Sequence, residues 1–133
     1  MNNQHDEQVS RLTSDEYHAQ LARRIAESGQ AITVVADVVQ GLDVAYTIGN
    51  HERRLPELLA FGPKHALMPL LDKLGRMMRE TGRPFVDGEL VDLGGQYPVM
   101  VVRAINQAAA AYAAQAPQYR PYVATATTID SLI

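Results

Sequence analysis

The stretch A31-ITVVADVVQGLDVAYTIGNHERRLPELLAF-G62 decides how this chain is to be folded. Residues 31–39 are β-branched and strand-like, with Ile32, Val34, Ala36 and Val38 on one face. Gln40-Gly41-Leu42-Asp43 reads as a tight connection, so the next strand, 44–49, is expected to pair back antiparallel. Pro56 biases Leu55 toward extended backbone. Residues 57–61 then form a third, short strand closed by Gly62-Pro63.

Helices flank this core. Upstream, Thr13 and Glu16 form a capping box, and Tyr17, Leu21 and Ile25 repeat every four residues as one apolar face. Gly29 is placed to stop that helix. Downstream, Leu67, Leu70, Leu71, Leu74, Met77 and Met78 make one apolar stripe. Pro69 disfavours a helix interior, so the regular helix is expected to start near Leu67 and to end at Gly82 and Pro84. Two further strands (86–93 and 97–105), an alanine-rich helix (106–117) and a last strand near 122–128 complete the order α-β-β-β-α-β-β-α-β. The fold expected is α+β: a mainly antiparallel sheet of five or six strands packed with about three helices. Residues 1–11 read as a mobile tail and 12–133 as one domain.

Composition narrows the chemistry. A chain of 133 residues with 47% hydrophobic side chains can bury a single core. Cysteine is absent, which removes disulfides, thiolate metal sites and a cysteine nucleophile. The expected location is the cytoplasm: there is no export signal, and no apolar run approaches the ~20 residues that span a bilayer. Net charge is −3, and residues 52–83 hold seven basic against four acidic side chains. That excess is too mild for a dedicated nucleic-acid binder.

The Tyr-Thr-Ile-Gly run at 46–49, followed by PELLAFG at 56–62, resembles the bacterial domain of unknown function 4262. The similarity extends through the following helix to YPVMVV at 97–102. This implies a fold class and no activity. The chain departs from the pattern at Asn50-His51-Glu52-Arg53-Arg54, where the family usually continues with an apolar Leu.

Candidate site residues are therefore Tyr46, Asn50, His51, Glu52, Arg53, Arg54 and Glu57. If Tyr46 faces a cavity beside Glu57, the pair would floor a small-ligand site; otherwise Tyr46 is a core residue. Arg53, Arg54 and Lys64 are suited to a small anion, whereas Lys73, Arg76 and Arg79 read as the solvated side of a helix. The histidines (His5, His18, His51 and His65) lack metal-ligand spacing, and no cofactor or metal is expected. There is no G-x-S-x-G turn, Walker loop or G-x-G-x-x-G run, so no catalytic residue is assigned and enzyme activity is left open. The expected role is a small, non-enzymatic binding or interaction domain that forms a homodimer, with a protein partner or small anionic ligand. The alternative is a small-molecule or nucleotide-binding protein, or an enzyme, using Tyr46 to Glu57.

Overall fold

The computed structural model describes residues 14–39, 42–93, 100–104, 122 and 125–131. Helix α1 (Ser14–Ser28) leads into strand β1 (Ala31–Val39), β2 (Leu42–Ile48), a 3₁₀ turn (Asn50–Arg53) and β3 (Leu58–Gly62). Helix α2 (Lys64–Thr81), β4 (Leu90–Val91), β5 (Met100–Ala104) and β6 (Thr127–Ser131) follow. The strands form one six-stranded sheet in the order β1-β2-β3-β6-β5-β4.

Alternation along the strands sends side chains to two cores. On one face Ala45, Leu58, Ala60, Val102 and Ile129 pack beneath Leu67, Leu70, Leu71, Leu74 and Met78 of α2, with Ile32 and Val34 at the margin. On the other, Val44, Tyr46, Ile48 and Leu59 pack beneath Leu21 and Ile25 of α1. The helix stripes and the antiparallel pairing of 31–39 with the following strand agree with the sequence reading, although that strand takes in Leu42 and Asp43 of the expected connection and ends at Ile48 rather than residue 49; Gly29 closes α1 with φ 96°.

Four other expectations are corrected. The sheet is mixed: β3 and β6 run parallel, with Leu58 opposite Thr127 and Ala60 opposite Ile129, while every other pair is antiparallel. Short turns between neighbouring strands argued for antiparallel pairing, but β6 joins β3 across a long crossover that leaves no local sign. Its span is Thr127–Ser131, later than the predicted 122–128, and the predicted strand 86–93 shrinks to Leu90–Val91. Finally, α2 starts at Lys64 and continues through Pro69. The missing bond to His65 costs stability; the helix tolerates it because Leu67, Leu70, Leu71 and Leu74 bury their side chains on either side of the exposed proline. Two α-helices lie among the described residues; the predicted helix 106–117, the Thr13 end of the capping box and the tail 1–11 lie outside them.

Candidate site: a buried glutamate beneath a charged turn

Thr47 is the last polar residue of β2 before the chain turns, and its pleat places it on the α2 face, opposite to Tyr46. Its hydroxyl donates to Glu57 Oε1 at 2.8 Å and accepts from the Leu58 amide at 2.9 Å and from Asn50 Nδ2 at 3.1 Å. One side chain thus ties the end of β2 to the start of β3.

Glu57 is fully buried. Besides Thr47, its carboxylate receives the backbone N–H groups of Gly49 at 2.8 Å, Asn50 at 3.2 Å and His51 at 3.1 Å. Three successive amides converging on one anion form a nest. Gly49 makes this possible: its φ of 127° turns the amide inward, and a Cβ there would lie 2.9 Å from the Gly29 carbonyl oxygen. His51 Nδ1 completes the shell at 2.7 Å from Oε2. Oε2 already accepts from two backbone N–H groups, which leaves Nδ1 as the donor of this contact. The His51 ring stacks on Tyr122 with centroids 3.8 Å apart and planes 10° from parallel. The Glu57 carbonyl accepts from the Thr127 amide at 2.7 Å, joining the same residue to β6.

Asn50 is the second hub. It is fully buried, and Nδ2 also donates to Gln30 Oε1 at 2.8 Å. Gln30 Nε2 in turn donates to the Leu71 carbonyl in α2 at 3.1 Å. Gln30 reaches that helix because residue 75 is glycine: a Cβ there would lie 2.1 Å from Gln30 Oε1. Asn50 Oδ1 accepts from Arg79 Nη1 at 2.9 Å, which brings α2 to the turn a second time. Burial holds the Arg79 guanidinium below its ordinary pKa; repulsion from Arg53 and Arg76 adds to this, while Asp72 and Glu57 oppose it.

Of the residues singled out by sequence, Asn50, His51 and Glu57 converge. Glu52, Arg53 and Arg54 are exposed on the same turn. Tyr46 does not join them. It lies fully buried on the α1 face, where Tyr17 Oη sits 3.1 Å from Thr33 Oγ1 and Tyr46 Oη finds no hydrogen-bond partner among the described residues. Burial, with some help from Tyr17, pushes the Tyr46 phenol above the usual tyrosine range; Thr33 offsets a little of this. Lys64 is also apart, its backbone amide 3.1 Å from Asp43 Oδ2. Arg79 is half-buried and anchored, unlike the solvated residue its helical position suggested. Gln30, Thr47, Arg79 and Tyr122 were not proposed as site residues; a lone glycine inside an otherwise strong helix, Gly75, was the one available signal for a close approach. Among the described residues no group of three or more His, Asp or Glu side chains is arranged to hold a metal ion, and no helix is long and apolar enough to cross a membrane.

The profile of the family described as Domain of unknown function (DUF4262) matches residues 24–124, most of the chain. The chain belongs to this family. In this DUF4262 domain the segments that carried the resemblance, Tyr-Thr-Ile-Gly and Pro-Glu, meet at one carboxylate: Thr47 and Gly49 donate to Glu57. The turn between them is held by that same carboxylate through Asn50 and His51. No curated protein and no solved structure matches the chain.

Proposed function

We propose that the domain is a non-enzymatic binding or interaction module whose working surface is the turn from His51 to Arg54. Arg54 carries this reading. It is exposed and holds φ 61°, a left-handed conformation that costs a non-glycine residue roughly 1–3 kcal/mol. Glycine or asparagine would close the 3₁₀ turn at lower cost. An arginine kept there, beside exposed Glu52 and Arg53 and above a backbone fixed by buried Glu57, suits a presented charge better than a plain connection. Self-association belongs to the same proposal. Among the described strands β1 lies at one edge of the sheet, with nine residues whose outer backbone groups are suited to pairing.

The test is a variant with Glu52→Ser, Arg53→Ser and Arg54→Gly, which spares His51 because that side chain is part of the Glu57 shell. Native mass and proteins captured from lysate are compared with wild type after thermal melting has shown both to be folded. The expected result is a folded variant that loses its second subunit or its captured partner. Identical masses and identical captured material would remove the turn from consideration.

A further inference from the structure

Beside the turn lies an open groove of about 370 Å³, bounded by Ser28 at the end of α1, Arg53, and Asp72, Arg76, Arg79 and Glu80 of α2. Three guanidinium groups from two separate elements face it. Only one is fixed from below: Arg79 donates Nη1 to buried Asn50 and lies against Gly29, where a Cβ would stand 2.6 Å from Arg79 Nε. Arg76 is paired with Asp72 one helical turn away, both side chains more than half exposed. The Arg53 side chain has no hydrogen bond or ion pair to any described residue, and it is close enough to Arg79 for their charges to repel.

From this convergence we infer that the groove binds the phosphate group of a small phosphate monoester, with Arg79 as the fixed contact and Arg53 and Arg76 closing on the anion from either side. A planar guanidinium presents paired N–H donors that match phosphate oxygens, and Arg79 has Nε and Nη2 left after Asn50 takes Nη1. Fixing that guanidinium in advance lowers the ordering cost of binding. Repulsion between Arg53 and Arg79 is relieved by a dianion placed between them, whereas a neutral ligand gains nothing from it. Asp72 is already engaged by Arg76, and Glu80, the other carboxylate lining the groove, opposes any anion, so binding rests on contact with all three arginines. The volume accommodates a phosphate and a short organic chain, at the small end of ligand sites. This inference shares Arg53 with the proposed interaction turn but depends on α2, so the two can fail separately.

The experiment titrates the full chain with inorganic phosphate, glycerol phosphate and glycerol by calorimetry at low and at moderate salt. Saturable binding of glycerol phosphate, weaker binding of phosphate, none of glycerol, and weakening with salt are expected. Arg79→Gln and, separately, Arg53→Gln should each reduce affinity for glycerol phosphate at least tenfold. Arg53→Gln keeps the test decisive if Arg79→Gln fails to fold, since Arg53 supports no described side chain. Glu52→Ser with Arg54→Gly should leave anion binding unchanged even where partner binding is lost. Absence of saturable binding by glycerol phosphate in wild type, or equal affinity in wild type and Arg53→Gln, overturns the proposal.

Discussion

The Thr47 hydroxyl and the Glu57 carboxylate, 2.8 Å apart and both without solvent exposure, form the joint between β2 and β3. The joint works because each group is used to capacity. Thr47 donates once and accepts twice, while Glu57 accepts from three amides, a hydroxyl and an imidazole. A buried carboxylate is tolerable only under such full pairing.

Glu57→Gln keeps the size of the side chain but turns one acceptor oxygen into an NH₂ that faces donors. Each stranded donor is expected to cost about 1–3 kcal/mol. Urea denaturation should show a clearly lower midpoint, and amide exchange at Gly49, Asn50 and His51 should accelerate. An unchanged midpoint would mean that the nest is held by something other than this charge.

Gly75→Ala adds a better helix former, a change worth up to ~1 kcal/mol of stabilisation in an exposed helix interior. Here the added Cβ would meet Gln30 Oε1, so the expected sign is the opposite: net destabilisation. A double-mutant cycle with Gln30→Ala should show coupling above the ~0.5 kcal/mol expected of independent sites. Additive effects would separate the two residues.

Leu74 has no solvent exposure and sits at the centre of the α2 stripe. Leu74→Ala should cost about 2–5 kcal/mol by leaving a cavity under the sheet. Chemical denaturation with an unchanged slope and a lowered midpoint is the expected readout.

Tyr46 gives a pH-dependent test. Its phenol pKa is raised in the folded state above that of the unfolded chain, so once pH passes the unfolded value of about 10 ionisation of the unfolded chain favours unfolding. Stability referred to the ionised unfolded phenol is therefore lost as pH rises from that value toward the higher folded one, and is fully retained below it. Tyr46→Phe should leave the urea midpoint at pH 7 unchanged or slightly higher, since the hydroxyl has no partner among the described residues. The same variant should lose less stability than wild type above about pH 10. Equal alkaline losses in the two proteins would contradict the burial of this phenol.

Local rules recovered what local forces decide. The stripe from Leu67 to Met78, the stop at Gly29 and the antiparallel return of the chain after β1 each follow from periodicity or turn chemistry. Pro69 misled because a proline's local cost is visible in sequence while the burial that offsets it is not. The opposite faces of Tyr46 and Thr47 were legible from strand alternation, but which face would hold Glu57 depended on where Pro56 set down the next strand. Gln30 and Arg79 had no readable role: their partner Asn50 lies 20 and 29 positions away, and such polar contacts have no periodic signature.

The placement of β6 between β3 and β5 sets an order of assembly. The first three strands and both described helices are contiguous in sequence and can form while synthesis continues, whereas the β4–β5 pair joins the first three strands of the sheet only through β6. Loop closure over so long a separation is slow. Until Thr127 emerges, the inner borders of β3 and β5 expose unpaired backbone, and a chain halted after Ala104 would hold two partial sheets with adhesive edges. Completion of the fold and loss of its aggregation hazard are thus a single late event, governed by five residues at the middle of the sheet.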